Sequence, residues 1–164
     1  MGKSYHYTLC GLPDVYLVNG YKIETSPYGG ETISIENIKG LHEAIGVDII
    51  SQPGRLRPEQ IKFLRKEMGL SQHLLATLIE VSEVTYRKWE SASDRNQIKG
   101  PADKLLRAIY ARYIGQDEKL KSLLDTAIEL DHKIIKSGAK EQFQQALRTF
   151  EETDAGWMPQ AADC

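Results

Sequence analysis

The feature that most constrains this fold is the stretch of residues 70–90, which has the pattern of two short helices joined by a tight turn. Ser71 and Ser82 each precede a run of apolar residues at helical spacing, and a serine hydroxyl placed there accepts a hydrogen bond from an unpaired backbone N–H. We therefore predict helices over residues 71–79 and 82–91. Because only about three residues remain for the turn, the two helices must cross closely.

Ala76 falls where the two helices would approach, and its small side chain allows a close crossing. The apolar residues expected to fix that crossing are Leu75, Ile79, Val81, Tyr86 and Trp89. The residues left facing outward on the second helix are Glu83, Val84, Thr85, Arg87 and Lys88. Such a row of polar and small side chains on a short helix can face the major groove of a DNA duplex.

Two motifs carry a resemblance to a known family. Leu-Ser-Gln-x-x-Leu-Ala begins at Leu70 and Val-Ser-x-x-Thr-x-x-x-Trp-Glu begins at Val81. Together they resemble the repressor/Cro-like (XRE) helix-turn-helix family, over residues 58–113. The resemblance implies a sequence-specific DNA-binding regulator of transcription, in which Gln72 contacts a phosphate or a neighbouring base and Arg87 meets the DNA backbone.

The resemblance also implies that four outward positions read bases: Glu83, Val84, Thr85 and Lys88. Lys88 suits guanine O6 and N7, Glu83 a cytosine amino group, and Val84 or the methyl of Thr85 a thymine methyl. The polar loop after the second helix adds Arg95 and Lys99 as backbone contacts. The full predicted DNA-binding set is Ser71, Gln72, Ser82, Glu83, Val84, Thr85, Arg87, Lys88, Arg95 and Lys99.

Two residues depart from the family pattern. Glu80 stands at the turn position usually held by glycine, although side chains other than glycine disfavour a positive φ. Glu83 places an acid on the face that would approach phosphates. An acid in the first turn also complements the helix dipole, so Glu83 has an alternative interpretation as a purely structural choice.

Charge is distributed unevenly along the chain, whose formal net charge is −2. Residues 1–54 carry a net charge of −3, residues 55–115 carry +5 and residues 116–164 carry −4. A basic middle between acidic ends is typical of a phosphate-contacting module flanked by segments that do not touch DNA. The alternative is an ordinary solvated helical surface.

A narrower resemblance links the chain to the zinc-finger/helix-turn-helix antitoxins of the MqsA type. It rests on residues 63–66 (Phe-Leu-Arg-Lys), on residues 100–107 (Gly-Pro-Ala-Asp-Lys-Leu-Leu-Arg) and on the opening Tyr5-x-Tyr7-x-x-Cys10-Gly11-Leu12. Those relatives carry two Cys-x-x-Cys pairs that hold zinc, whereas this chain has only Cys10 in that region. A tetrahedral site needs four ligands, and adding His6 and His42 still leaves three unless Cys164 folds back, so we predict no metal.

The N-terminal part has the alternation of a small β-sheet. Strands are predicted over residues 15–18, 21–25 and 32–35, with a hairpin turn at Asn19-Gly20. Apolar residues at helical spacing predict a helix from Ile38 that stops at Gly46. Residues 51–57 contain a proline and a glycine and are predicted to form a linker, which gives a small α+β module over residues 1–54.

Beyond residue 54 every periodic segment is helical. Further helices are predicted over residues 58–68, 101–114 and 117–136, with a last short helix marked by Phe143, Ala146, Leu147 and Phe150 and frayed chain from Ala155. The expected architecture is therefore an α+β N-terminal module, an all-α helix-turn-helix (lambda-repressor-like) domain over residues 55–115, and a helical extension over residues 116–164. The apolar stripe after Asp117 either forms a dimer surface or packs on the N-terminal sheet.

The same sequence weighs against several other classes. It has no apolar run long enough to span a membrane and no secretory signal, so a cytoplasmic location is expected. His6 and Cys10 lie four residues apart, yet no oxyanion loop, carboxylate pair or phosphate cradle accompanies them, and we expect neither an enzyme nor a cofactor.

The sequence thus predicts a homodimeric repressor that binds double-stranded DNA at a short inverted repeat. The alternative is an antitoxin whose N-terminal module neutralises a toxin protein while DNA binding serves autoregulation.

Overall fold

A computed structural model describes residues 3–91, 97–115 and 148–160. In chain order its elements are β1 (Tyr5–His6), β2 (Val15–Leu17), β3 (Tyr21–Thr25), β4 (Glu31–Ile35), α1 (Ile38–Ser51), α2 (Pro58–Glu67), α3 (Gln72–Leu78), α4 (Glu83–Glu90), α5 (Gly100–Tyr113), β5 (Arg148–Thr153) and β6 (Gly156–Pro159). The chain divides into two compact units: a first unit made of residues 1–45 and 145–164, and a second unit of residues 46–144. This order of elements confirms the predicted α+β module followed by a helix-turn-helix domain.

A four-stranded sheet in the order β1-β2-β5-β6 organises the first unit. Strands β2 and β5 are parallel, with Leu17 opposite Phe150, and β5 pairs with β6 as an antiparallel hairpin. Leu17, Phe150 and Trp157 are buried in this unit.

The prediction of a final helix ending near Phe150 and a frayed tail is therefore wrong for residues 148–159, which form two strands. Phe150 is buried in the first unit, and β5 also contains the β-branched residues Thr149 and Thr153, which favour a strand. The other marker residues of that helix, Phe143, Ala146 and Leu147, lie outside the described residues. The predicted helix over residues 117–136 and its apolar stripe also lie outside them.

The predicted hairpin around Asn19-Gly20 is also wrong. Strand β2 pairs with β1 and β5, whereas β3 pairs with β4 around a turn at Ser26 and Gly29. Asn19 is instead bound to the β5 backbone, since its side-chain oxygen accepts from Glu152 N at 2.7 Å. Gly20 has a φ of +73° and lies against the Trp157 ring, so this dipeptide directs the chain from one sheet to the other.

Helix α1 continues past Gly46, where the sequence predicted its end, and reaches Ser51. A Cβ on Gly46 would overlap the hydroxyl of Tyr110, a residue of α5 that is 1% exposed. The glycine is thus explained by close packing rather than by termination of the helix. No helix among the described residues is long and apolar enough to cross a membrane.

The described residues of the second unit form four helices after the end of α1, and each helix lies within one or two residues of its predicted bounds. Residues 51–57, predicted as a linker, are held firmly by α5. The guanidinium of Arg107, which is buried, donates to the carbonyl oxygens of Ile50, Gln52 and Gly54. Asp103 binds Arg107 Nε at 2.9 Å and accepts from Leu56 N at 2.7 Å, so the charges of this buried pair are compensated.

Candidate nucleic-acid interface

Helices α3 and α4 each begin at the serine that the sequence singled out. The Ser71 hydroxyl accepts from Leu74 N, and the Ser82 hydroxyl accepts from Thr85 N, both at 3.1 Å. Each cap satisfies one of the backbone N–H groups that a helix leaves unpaired at its start. Both serines are exposed and mark the same end of their helices.

The turn between the two helices is a Schellman motif centred on Glu80. Val81 N donates to Ala76 O at 3.0 Å and Glu80 N donates to Thr77 O at 3.2 Å, which are the two bonds that define this helix ending. Glu80 has a φ of +55°, in the left-handed region where a Cβ is strained. The departure from glycine noted in the sequence therefore falls at a position whose backbone favours glycine.

The inner side of α4 is packed against α2 and α3. Tyr86 and Trp89 are buried and meet edge to face, with ring centroids 6.2 Å apart. From α3, Leu75 and Ala76 are at most 1% exposed, as expected for residues at the crossing. This packing fixes which side of α4 remains free.

An ion pair between α2 and α4 adds a polar anchor. Arg65 Nε lies 2.6 Å from Glu90 Oε1, and Arg65 Nη2 lies 3.1 Å from Glu90 Oε2. The same carboxylate accepts from the Tyr86 hydroxyl at 2.7 Å and from the Gln72 amide at 2.8 Å. Glu90 thereby joins α2, α3 and α4 through charge-assisted bonds.

These contacts shift the pKa values of Glu90, Arg65 and Tyr86. Burial raises the pKa of Glu90, but the hydrogen bonds from Arg65, Tyr86 and Gln72 outweigh burial and leave that pKa below its ordinary value. The hydrogen bond with Glu90 raises the pKa of Arg65. Burial, followed by the bond to Glu90, raises the pKa of Tyr86. Arg65 and Glu90 are accordingly both charged at neutral pH.

The outer side of α4 presents three side chains to solvent: Val84, Arg87 and Lys88. Val84 is 63% exposed, a large fraction for an apolar residue on a short, well-packed helix. Thr85 is only half-exposed, and its hydroxyl accepts from the Ser82 hydroxyl at 2.8 Å. Among the predicted base readers, Val84 and Lys88 are therefore the most accessible.

Glu83 contacts two side chains, one on α4 and one on α3. Its Oε1 pairs with Arg87 one turn along the helix, and its Oε2 lies 3.2 Å from Nδ1 of His73 on α3. Arg87 offsets the negative charge of Glu83 on this helix. The structure thus gives Glu83 a structural role, the alternative left open from the sequence, and its predicted contact with cytosine stays a prediction.

Three further predicted contacts lie around this face. Gln72 uses one amide hydrogen for Glu90, and its second N–H leaves it able to donate to a phosphate. Lys99 is exposed at the start of α5. Arg95 lies outside the described residues, and its contact with the DNA backbone stays a prediction.

Sequence reasoning missed Arg65, Glu90 and His73. Arg65 and Glu90 are 25 positions apart, and no spacing rule for a single helix relates them. Only the Trp-Glu ending of the second motif marked Glu90, without indicating its partner. His73 follows Gln72 on the exposed side of α3 and is identified only by its contact with Glu83.

The residues considered as metal ligands in the first unit have protein partners. His42 Nε2 lies 2.8 Å from the Tyr7 hydroxyl, and His6 Nε2 lies 2.8 Å from Pro13 O. Cys10 Sγ donates to Tyr7 O at 3.4 Å. Within residues 3–91, 97–115 and 148–160, no three His, Cys, Asp or Glu side chains are grouped as a metal site. The prediction that the chain binds no zinc stays a prediction.

The two units differ in charge. The described residues of the second unit contain eleven Lys and Arg against seven Asp and Glu, whereas those of the first unit contain four against eight. The outward row of α4 thus belongs to the basic unit. An anionic polymer is the kind of ligand that such a unit attracts.

Comparison with known families agrees with this geometry. Residues 61–97 match the family model described as Helix-turn-helix, a segment that includes most of α2 and all of α3 and α4. No curated protein and no solved structure matches the sequence significantly. The match supports a DNA-binding transcription regulator of the XRE kind, and such a domain is regulatory and not typically enzymatic.

Proposed function

We propose that this helix-turn-helix protein is a sequence-specific transcription regulator that inserts α4 into the major groove of double-stranded DNA. The observation that carries the proposal is the division of α4 into two sides. Tyr86, Trp89 and Glu90 lock the inner side, while Val84 and Lys88 remain exposed on a helix of fixed orientation. A rigid helix with free side chains on one side is what direct base readout requires.

Within this proposal Lys88 donates to guanine, Val84 contacts a thymine methyl, and Arg87 and Lys99 bind phosphates. Ser71 and Ser82 contribute from the exposed starts of α3 and α4, and Gln72 contributes from the first turn of α3. Arg95 belongs to the same set on sequence grounds. We further propose that the protein is a homodimeric repressor. Two copies of α4 about 34 Å apart would contact two half-sites one duplex turn apart, and two such half-sites form an inverted repeat.

The test uses the DNA upstream of the protein's own gene. Lys88→Ala should lower affinity for that DNA by about 5- to 150-fold, since a base contact is worth about 1–3 kcal/mol, and should relax the preference for one base pair. Arg87→Ala should weaken binding to all sequences alike and reduce the slope of affinity against salt by about one. Fluorescence anisotropy over a salt series measures both effects.

Lys39→Ala is the matched control, because it removes the same charge from an exposed position in the first unit. Undiminished DNA binding by both the Lys88 and the Arg87 variants would refute the assignment of α4. Footprinting and sedimentation of the complex test the repressor dimer: protection of one half-site by a monomer would contradict it.

A second candidate function is favoured by the charge of the first unit. Its excess of acidic side chains opposes DNA binding and is compatible with a basic protein partner, as expected for an antitoxin. The partner would be the product of a small adjacent gene. A fragment of residues 1–54 is a poor reagent for this question, because it lacks the two strands β5 and β6 that complete the sheet.

The full chain is the correct reagent, titrated with the adjacent gene product by calorimetry. A stoichiometric complex with the full chain supports the antitoxin function. If the full chain shifts its promoter DNA and yet gives no heat of binding with that product, the antitoxin function is refuted and the regulator stands.

A further inference from the structure

The hairpin formed by β3 and β4 is a two-stranded sheet, and within the described part of the chain neither outer edge is paired with another strand. Ser26 N donates to Gly30 O and Glu36 N donates to Gly20 O, which fixes the pairs 26–30 and 20–36 as hydrogen-bonded. Because hydrogen-bonded and non-hydrogen-bonded pairs alternate along an antiparallel ladder, residues 21, 23 and 25 direct their backbone groups outward. The edge of β3 therefore offers N–H and C=O groups at Ile23 and Thr25.

One face of this hairpin is apolar and only partly covered. Tyr21 is covered by Tyr5, with ring centroids 5.3 Å apart, and its hydroxyl donates to Lys3 O at 2.5 Å. Nearer the tip, Ile23 lies opposite Ile33 and is 52% exposed. An exposed apolar side chain on a strand with an open edge is a feature that proteins ordinarily suppress unless another strand binds there.

The charge around this edge indicates the kind of strand that fits. Glu24 is exposed on β3 and Glu31 is exposed at the start of β4, opposite Thr25, while the one lysine of β3, Lys22, is paired with Glu36 at 3.8 Å. A second copy would carry the same excess of acids, eight Asp and Glu against four Lys and Arg among the described residues of the first unit, and two such units repel each other. A basic strand is complementary.

We propose that the outer edge of β3 binds an extended segment of a partner protein in which apolar residues alternate with lysine or arginine. Backbone hydrogen bonds form at Ile23 and Thr25, the apolar side chains cover Ile23 and Ile33, and the basic side chains meet Glu24 on the opposite face. This inference rests on the second proposed function, that the first unit binds a protein, and it names the surface and the chemistry of the partner.

The test follows the amide resonances of the full-length protein by NMR while a synthetic peptide is added. The probe is acetyl-(Val-Lys)4-amide, and the control peptide is acetyl-(Val-Glu)4-amide. The lysine peptide should shift the amides of Ile23 and Thr25 and slow their exchange with solvent, and it should bind about tenfold more tightly than the glutamate peptide because cross-strand charge pairs of opposite sign are favourable.

Two variants at one position make the test specific. Thr25→Pro removes an outward N–H that the hairpin itself does not use, so the fold tolerates it and peptide binding is lost. Thr25→Val keeps the N–H and should bind as the natural protein does. A retained contact between Ile23 and Ile33 in the Thr25→Pro spectrum verifies that the hairpin is intact.

Equal binding of both peptides, unchanged Ile23 and Thr25 amides at millimolar peptide, or full binding by an intact Thr25→Pro variant would each overturn the inference. Binding of the adjacent gene product then distinguishes failure of the β3 site from failure of the antitoxin function. If that protein binds the Thr25→Pro and Thr25→Val variants equally, the antitoxin function survives and the β3 edge is not its site.

Discussion

Replacing Glu90 with alanine tests the claim that a buried carboxylate holds α4 in place. The variant leaves the Arg65 guanidinium, which is 12% exposed, without its carboxylate partner and with only its bond to Leu70 O, and it takes an acceptor from the buried Tyr86 hydroxyl. Breaking a buried ion pair from one side costs about 3–5 kcal/mol. Gln72 is half-exposed and water can replace its lost bond, so we expect a value near the lower end, about 3 kcal/mol.

Urea unfolding monitored by tryptophan fluorescence measures this loss. The chain has two tryptophans, Trp89 in the second unit and Trp157 in the first, so a Trp157→Phe background makes the signal report the second unit alone. In that background we compare Glu90→Ala, Arg65→Ala and the double variant. The double variant should be more stable than the sum of the single losses predicts, by about 1–3 kcal/mol, because the two groups contact each other directly.

The pH dependence gives an independent check. The folded-state pKa of Glu90 lies below its ordinary value of 4.5, so the unfolded state binds the proton more tightly. The carboxylate therefore contributes stability that is fully present above pH 4.5 and is lost as pH falls through the folded-state pKa. Glu90→Gln should be less stable than the natural protein at pH 7 and should lose less stability between pH 5 and the acid limit. A Glu90→Ala cost under about 1 kcal/mol, or additive single losses, would refute the reasoning.

Three further variants test local features of the second unit by the same urea assay. Glu80→Gly should stabilise by about 0.5–1 kcal/mol, because it relieves a left-handed backbone strain of about 1–2 kcal/mol at some cost in chain entropy; a loss of stability would contradict that strain. Gly46→Ala should destabilise by about 1–3 kcal/mol, since the new methyl meets the Tyr110 hydroxyl, and a Tyr110→Phe background should recover part of the loss. Ser82→Ala should cost about 1 kcal/mol while Ser82→Asp retains stability, because aspartate also caps a helix; equal losses in both would exclude the capping role.

The features that the sequence predicted correctly depend on residues close together in the chain. The caps at Ser71 and Ser82, the small residue at Ala76 and the left-handed position at Glu80 each follow from local chemistry within one turn of helix. The bounds of α2 to α5 were accurate to one or two residues for the same reason.

The errors came from contacts between distant positions. Asn19-Gly20 has the composition of a hairpin turn, but its conformation is set by Glu152 and Trp157, more than 130 positions away. Glycine is typical of a helix end, but Gly46 lies inside α1, where its missing side chain leaves room for the Tyr110 hydroxyl. The bond between Arg65 and Glu90 is similarly invisible to any pattern within one helix. At each of these positions tertiary packing overrode the local preference.

The parallel pairing of β2 with β5 has a consequence for synthesis. Val15 of β2 pairs with Arg148 of β5. During synthesis β2 therefore has no β5 to pair with until the 132 residues between these positions have been translated. At about 5–20 residues per second this delay is on the order of ten seconds, long enough for the locally connected helices to fold first. Helices α3 and α4 of a nascent chain would then fold before the sheet of the first unit, and the flank of β2 that pairs with β5 stays unpaired until β5 is translated.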